Sequence, residues 1–462
     1  MSINFTIAVL NLVLFAILLK RLKIFKMGIF SLGFVNLFTA FFPHFILTPF
    51  VALKNGATTY TLLKARDITE HHPAFTQALL LVCLIEICLI IGTLIPNPKK
   101  TKAPMYWRFS APYMFKHDWL VLLLFMGFWA FGIIIRGYFM GTFNPFVLVT
   151  MARTEEFSKF YRAYNLSYPI LFSKGALLFC QAILTTSFLM KEPNWKGLSK
   201  SIFICLLTIG SLMVSGSRQT LLSAPIVTAF LIQYFYRPIP RWMIIGGASI
   251  ALFVIPLYKS LAHGKTLQYL MDSGQLTSID YVVMGLTQRF GNFQVMVRYL
   301  DWYEMSRMTL GFTVFSIFVR PIPRTFIPWK PPSNDIYFTR SIYGEDAAIQ
   351  IHGAWGEMMY NFWLPGLIIW FILLGALLYR FHFGFQKLVT ERKYLAIALI
   401  LSNFAFLRSL PNLGVNTIAS QNMLMTIGSQ VFVIGVIWGY HYLVTTPRKQ
   451  RPPLPEKKIN SA

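Results

Sequence analysis

Long apolar runs separated by short polar segments dominate the pattern of the chain. Most of these runs have about 18–22 residues, which matches the thickness of the hydrocarbon core of a bilayer. The pattern predicts an all-α polytopic membrane protein with about 11 transmembrane helices, which form one transmembrane domain over residues 1–443. The predicted spans lie near 4–19, 28–53, 74–95, 119–140, 168–190, 200–215, 219–236, 242–260, 357–379, 394–410 and 420–443.

The longest interruption of this pattern, about 261–356, falls between predicted spans 8 and 9. It is too short and too interrupted to count as an independent domain. Amphipathic stretches such as SIDYVVMGLTQRFGNFQVMVRYLDWYEM, residues 278–305, predict helices that lie against the membrane surface. The last segment, 444–462, is rich in Pro and Lys, so we expect a disordered basic tail.

The charges between the spans indicate an orientation. The first apolar run has no basic leader and is followed at once by KRLKIFK, which predicts an uncleaved first span with the N-terminus on the outer side of the membrane and the C-terminus in the cytoplasm. The segments that then face the cytoplasm, the C-terminal tail included, hold about 23 of the 42 Lys and Arg residues and only four acids. The other basic residues lie on or near the outer face, where the positive-inside rule does not explain them.

Composition agrees with a membrane protein. Hydrophobic residues make up 55% of the chain and charged residues 13%, whereas soluble domains carry about 25% charged residues. The net charge of +25 would suit nucleic acid, but an outer basic surface beside lipid favours an anionic lipid-attached substrate and no nucleic acid. The four cysteines lie inside apolar runs as expected for small buried side chains, and the histidine spacing gives no metal site.

Three arginines stand near the predicted outer ends of separate spans. Arg218 lies in the tight corner VSGSRQTL, Arg408 follows LAIALILSNFAFL, and Arg136 lies in AFGIIIRGYF. Guanidinium groups bind phosphate oxygens in pairs and keep their charge, so such a cluster would suit a diphosphate. The alternative for each is an anchoring arginine that reaches the interface.

The outer loops add further candidates. FVRPIPRTFIPWKPPSND sets basic side chains among prolines and could also be a simple spacer; Glu357 could be a general base or a plain acid at a helix N-terminus. Glu86 stands in the middle of LVCLIEICLII, where we expect it to pair with a partner in the bundle. The remaining candidates are His352 as a base, Trp355, Tyr360 and Asn361 for sugar contacts, and Arg153, Arg320, Arg324 and Lys330 for the substrate; Arg340 is a further basic residue of the long loop.

At these residues the chain resembles the Wzy-type oligosaccharide repeat-unit polymerases, over roughly residues 200–420. The order of the motifs carries the resemblance: a glycine–arginine turn, a proline-rich basic stretch in the long loop, a glycine–glutamate entry to the ninth span, and a late outer arginine. This chain departs from the family at Trp363, where glycine is usual, with Met359 nearby. The matching residues are Gly216, Arg218, Pro323, Pro328, Lys330, Pro331, Gly353, Gly356, Glu357, Tyr360, Asn361, Phe362, Gly366 and Arg408.

The resemblance implies a glycosyltransferase of the bacterial inner membrane that needs no metal or cofactor. Such enzymes transfer a glycan from undecaprenyl diphosphate to the non-reducing end of another lipid-linked repeat unit at the periplasmic face, in the synthesis of O-antigen or a related surface polysaccharide. The implied partners are the two undecaprenyl-diphosphate-linked substrates and membrane lipids, with a chain-length regulator as a further candidate. We assign Arg218 and Arg408 to the diphosphate, with Lys330 and Arg320 in support, and Glu357 to the acceptor hydroxyl.

Two other functions remain open from the sequence. An O-antigen ligase would use the same donor but pass the glycan to a lipid A–core acceptor. A flippase or transporter of lipid-linked glycans would place charged residues through the depth of its spans, whereas here Glu86 is deep and the arginines gather at one face.

Overall fold

The computed structural model describes residues 2–24, 37–55, 72–96, 112–144, 167–213, 218–240, 292–302, 353–403 and 421–445, and the isolated positions 31, 33, 147–148, 242–243, 246–247, 309, 311, 319, 322, 326–327 and 340. Every regular element in these residues is helical. In chain order the longer ones are α1 (Ile3–Arg21), the π-helical α2 (Leu37–Leu47), α3 (Thr48–Asn55), α4 (Pro73–Leu94), α5 (Asp118–Met140), α6 (Ser167–Lys191), α7 (Trp195–Met213), α8 (Arg218–Phe235), α9 (Asn292–Trp302), α10 (Gly353–Thr390), α11 (Tyr394–Ser402) and α12 (Gln421–Thr445); a short 3₁₀ helix, Pro112–Phe115, precedes α5.

Seven helices in the described part of the chain are long and apolar enough to cross a bilayer: α1, α4, α5, α6, α7, α10 and α12. They coincide with seven of the predicted spans, as expected for a multi-pass helical membrane protein. Three further predicted spans overlap described helices that are not among these seven, namely α2 with α3, α8 and α11. The predicted span 242–260 lies almost wholly outside the described residues.

Side chains on the outside of the bundle are apolar, as lipid contact requires. On α5, Leu123 is 58% exposed and Ile134 is 56% exposed. Such a surface would be unfavourable in water but costs nothing against hydrocarbon. In contrast, 83% of the most apolar stretch of α6 is buried, because α5, α7, α8, α11 and α12 surround this helix. Helix α6 is therefore the centre of one half of the bundle.

Helices α4 and α10 form the most extensive helix pair of the other half. They meet at two glycines: a Cβ atom on Gly92 would run into the backbone of Ile372 and Gly375, and one on Gly375 would run into the backbone of Leu89. Small residues let two helix backbones approach closely, which strengthens the van der Waals packing between helices in lipid. The pair thus holds the part of α10 around Gly375 at a fixed register against α4.

Contacts between helix termini define the two ends of the bundle, which correspond to the two sides of a membrane. At one side, His117 lies 3.1 Å from His441, Lys191 forms an ion pair with Asp118 at 2.6 Å, and the ring of Tyr394 packs against Phe115 and Phe235. His382 of α10 reaches the carbonyl of Leu22 at 2.9 Å on the same side. Because α12 runs from here into the C-terminal segment, we name this the tail side.

The opposite end is the loop side, which carries α9 from the long predicted loop. Phe293 of α9 packs edge-on against Phe75 near the start of α4, with ring centroids 5.2 Å apart. Tyr299 of α9 packs against Trp355 near the start of α10, at 5.8 Å. Of the predicted amphipathic stretch 278–305, the described residues 292–302 form a helix, and its apolar residues Phe293 and Tyr299 pack against the bundle.

Candidate functional site

Arg136 lies at the loop side, one turn before the end of α5. Its side chain is only 4% exposed and lines a pocket between α5, α6 and α7. The same pocket is lined by Lys174 and by the hydroxyl-bearing Ser173 and Ser211, and its remaining lining residues are Phe128, Gly132, Ile170 and Leu177. Among the described residues, the lining thus combines two cations and two hydroxyls with apolar side chains. We name this the Arg136–Lys174 pocket.

The sequence spacing explains why these residues share one pocket. Phe128, Gly132 and Arg136 follow one another at intervals of four, so they lie along one face of α5. Residues 170, 173, 174 and 177 obey the same rule on α6. Gly132 keeps the space between the helices open, since even a Cβ atom there would lie 3.2 Å from Ser211 Oγ.

The direction of the helices gives the depth of each lining residue. Helix α5 runs toward the loop side, so Arg136 is at the rim and Phe128 two turns deeper. Helix α6 runs the other way, so Ser173 and Lys174 are near the rim and Leu177 is deeper. Arg136 and Lys174 therefore lie on the loop side of Phe128 and Leu177, while Ile170, one turn before Lys174 on α6, is an apolar lining residue nearer still to the loop side.

Arg218 is the first residue of α8; its side chain is outside what the structure describes. Helix α7, which supplies Ser211 to the pocket, ends at Met213 on the same side of the bundle. A chain of five residues spans at most about 18 Å, so the backbone of Arg218 lies within that distance of Met213. The structure therefore brings Arg218 to the same side of the bundle as Arg136, as the topology predicts. Arg408 follows the loop-side end of α11 but lies outside the described residues.

Glu357 occupies a second cluster at the loop side. It is 2% exposed and lies on the first part of α10, beneath α9. Asn361 donates from Nδ2 to the Glu357 carbonyl at 2.7 Å, and Thr309 donates from Oγ1 to Asn361 Oδ1 at 2.8 Å. The amide of Asn361 thus joins the long loop to the turn of helix that carries Glu357.

Helix α10 is interrupted directly after this cluster. Trp363 has φ 54° and ψ −147°, a conformation that costs a non-glycine residue about 1–3 kcal/mol. Pro365 then opens a second helical segment, which suits its fixed φ and missing N–H. Segment 364–390 is longer than the ~20 residues that a bilayer crossing needs. Glu357 therefore lies on a short helix before the crossing segment, rather than at the mouth of one continuous span.

Trp355, Tyr360 and Asn361, the candidates for sugar contacts, are all buried in this arrangement. Their packing positions Glu357 and α9, and direct contact with a sugar stays a prediction. Arg340 is described and exposed. The other candidates, His352, Arg153, Arg320, Arg324 and Lys330, lie outside the described residues.

The structure adds Lys174 and Ser211, which the sequence analysis missed. Lys174 stands in SYPILFSKGALLF, and a lone cation in an apolar run is the same signal that singled out Arg136. The prediction that Glu86 pairs with a partner in the bundle is wrong. In the described part of the chain, neither of its carboxylate oxygens has a hydrogen-bond partner. Within the same residues no group of three or more His, Cys, Asp or Glu side chains forms a metal site.

Comparison with known proteins gives no relative. No protein-family model matches the chain, and neither the curated proteins nor the solved structures contain a significant match. The resemblance to the oligosaccharide polymerases therefore rests on the residues and their order alone.

Proposed function

We propose that this protein is a membrane glycosyltransferase that polymerises lipid-linked oligosaccharide repeat units. The observation that carries the proposal is the Arg136–Lys174 pocket, in which cations from two helices meet at the side of the bundle where α8 begins with Arg218. Cations at a membrane interface, above apolar walls, suit a substrate that is both anionic and lipid-attached.

The distribution of charge supports an outer position for this pocket. Described basic residues are frequent at the tail side, among them Lys20, Arg21, Lys191, Lys196, Lys200, Arg237, Lys387, Arg392 and Lys393. The positive-inside rule places such a side in the cytoplasm. The loop side would then face the periplasm of a bacterial cell, where lipid-linked glycans are joined.

The proposed reaction moves a glycan between two lipid carriers. The bond between the anomeric carbon of the donor glycan and its diphosphate breaks, and undecaprenyl diphosphate leaves. A hydroxyl at the non-reducing end of the acceptor forms the new glycosidic bond and gives its proton to a base, for which Glu357 is the candidate. Fixed cations stabilise the charge that develops on the leaving diphosphate, and they lower the barrier when this interaction strengthens in the transition state.

A reconstituted reaction tests this proposal. The purified full-length protein is placed in liposomes with a defined undecaprenyl-diphosphate oligosaccharide, and the products are separated by chain length. We expect a ladder of lengthened glycans on undecaprenyl diphosphate, reduced by at least tenfold in Arg218→Ala and Arg136→Ala. Arg380→Ala, which removes an exposed arginine of the tail-side part of α10, is the matched control. A full ladder from both site variants would overturn the proposed site.

A second acceptor separates polymerase from ligase. Addition of lipid A–core to the same liposomes leaves the ladder unchanged if the protein is a polymerase. Glycan transferred to the core sugar, without lengthening on the lipid carrier, would assign the protein to the ligases instead. Outward movement of the lipid-linked sugar without any transfer would show transport.

A further inference from the structure

We infer that the tail side of the bundle carries a binding site for the phosphate groups of an anionic membrane phospholipid. The site consists of Lys116, Arg237, Arg392 and Lys393, which we name the tail-side cationic surface. It lies at the opposite end of the bundle from the proposed glycan transfer and does not depend on that function.

Three aromatic rings join the segments that carry these cations. Tyr394 packs against Phe115 and Phe235, with ring centroids 6.2 and 5.2 Å apart. The four cations lie within two residues of these rings along the chain: Lys116, Arg237, Arg392 and Lys393. Three segments that are distant in sequence, namely the start of α5, the end of α8 and the turn between α10 and α11, therefore bring cations to one junction.

Each described acid at the tail side already has a basic partner outside this surface. The ion pairs are Asp118–Lys191 and Glu192–Lys200, both at 2.6 Å, and Glu391–Lys387 at 3.8 Å. Within the described residues, the four cations of the surface thus have no acid to neutralise them. Positive charge of this kind at a membrane surface attracts anionic lipid headgroups.

The turn between α10 and α11 fixes the position of Arg392. Its backbone N–H donates to the Val389 carbonyl at 3.1 Å, and that of Lys393 donates to the Leu388 carbonyl at 3.0 Å. This is the usual hydrogen-bond pattern of a helix end that is followed by a left-handed residue, for which glycine is favoured. Arg392 occupies that position, at φ 52°, and its side chain is exposed. An arginine where glycine would suit the turn better agrees with a role for its guanidinium in binding.

Exposed aromatic side chains place the surface at the level of the lipid headgroups. Trp119, three residues after Lys116, is 53% exposed and packs edge-on against Tyr440 at 5.2 Å. Trp and Tyr rings are typical of the interface between hydrocarbon and water. Phospholipid phosphates lie at the same level, and guanidinium groups bind phosphate oxygens in pairs. Cardiolipin, with two phosphates, can contact more of the four cations than phosphatidylglycerol, with one.

Two variants remove cations from the surface without removing packing. Arg237→Gln/Lys393→Gln takes away two charges. Arg392→Gly takes away one and also suits the left-handed backbone, so it should be at least as stable as the native protein. Lys20→Gln/Arg21→Gln is the matched control, because it removes two exposed cations from the tail-side end of α1, which carries none of the three rings.

The test measures lipid binding by native mass spectrometry of the full-length protein, with thermal unfolding as the check on folding. We expect the native protein to bind cardiolipin more tightly than phosphatidylglycerol, and phosphatidylcholine weakly. Affinity for cardiolipin should fall about fivefold for each cation removed from the surface. The Lys20→Gln/Arg21→Gln control should bind cardiolipin as the native protein does.

Three results would overturn the inference. The first is native affinity for cardiolipin in both surface variants. The second is an equal loss in the Lys20→Gln/Arg21→Gln control, which would show a general attraction to positive charge. The third is displacement of cardiolipin by inorganic phosphate at the same concentration, which would make the surface a site for free anions. None of these results bears on the glycan ladder, so the proposed function stands or fails separately.

Discussion

Thr309 and Asn361 connect the long loop to the helix of Glu357: the Thr309 hydroxyl donates to Asn361 Oδ1 at 2.8 Å. The backbone N–H of Thr309 also donates to the Tyr360 carbonyl, at 3.1 Å. Since Asn361 is completely buried, water cannot replace the side-chain bond if it is lost. The pair therefore fixes the position of the loop over the proposed base.

We predict that Thr309→Val lowers stability and transfer activity together. The substitution keeps the shape but removes the hydrogen bond from Thr309 Oγ1 to the buried Asn361 Oδ1, at a cost of about 1–3 kcal/mol. Glycan transfer should fall severalfold because the turn that carries Glu357 loses its tether. Unfolding temperature and ladder formation are the measurements.

Thr390→Val provides the control for this prediction. Thr390 lies at the tail-side end of the same helix, is exposed, and donates only to the Gln386 carbonyl at 3.0 Å. We expect no change in activity there. Equal loss in both variants would show that the Thr309 contact has no special part in the site.

A second prediction concerns the break at Trp363. At φ 54°, glycine has no Cβ to clash, whereas alanine keeps the strain. Trp363→Gly should therefore be more stable than Trp363→Ala by about 1 kcal/mol, although both lose the contacts of the indole ring. The comparison of the two variants removes that common loss.

Trp370, in the continuous part of α10, gives the opposite expectation. In a regular helix glycine is less stable than alanine by about 1 kcal/mol, so Trp370→Gly should be less stable than Trp370→Ala. Thermal unfolding of the four variants decides the matter. If alanine were more stable than glycine at both positions, Trp363 would be helical in the folded protein.

The sequence analysis identified most of the long helices because their signal depends on local composition alone. An apolar run of bilayer length gives a span whatever it packs against, and the flanking charges of segments such as KRLKIFK indicate their side. The break at Trp363 was visible only as a departure from a family pattern, since no rule of local sequence places a tryptophan at positive φ.

Contacts between helices were less predictable. Helix α6 is apolar around most of its circumference, so its sequence does not reveal which face meets α5. For this reason the sequence did not predict that Lys174 and Arg136 line one pocket. Helix α10 extends to Thr390 rather than to the predicted residue 379, and His382 in this extension bonds to Leu22 O and Gly33 N at 2.9 and 3.0 Å. Such partners are distant in sequence and no periodicity encodes them.

A third prediction tests the crossing of α4 and α10. Gly92→Ala places a methyl group against the backbone of Ile372 and Gly375, which cannot move aside as a side chain can. We expect a loss of about 1–3 kcal/mol, the usual range for overpacking, measured by thermal unfolding in detergent. Gly435→Ala is the control: nothing lies within 4 Å of a Cβ atom there, so the variant should be as stable as the native protein or slightly more stable. Similar stability of both variants would contradict the close crossing.

The last prediction concerns Glu86 in the middle of α4. The side chain is fully buried, and its carboxylate oxygens have no hydrogen-bond partner in the described part of the chain. An ionised carboxylate in such a place is far more costly than a neutral group of the same shape. Glu86→Gln should therefore leave stability unchanged or raise it by about 1 kcal/mol, and Glu86→Lys should prevent folding or lower stability strongly.

Activity measurements on Glu86→Gln then separate enzyme from transporter. A polymerase that works at the loop side does not use a carboxyl group at this depth, so its glycan ladder should persist. Glu391→Gln, an exposed change at the tail side, controls for the loss of one acid. If Glu86→Gln folds normally but loses activity while Glu391→Gln retains it, the carboxyl group of Glu86 has a direct role within the span. Such a result would favour a transport path through the bundle over catalysis at its surface.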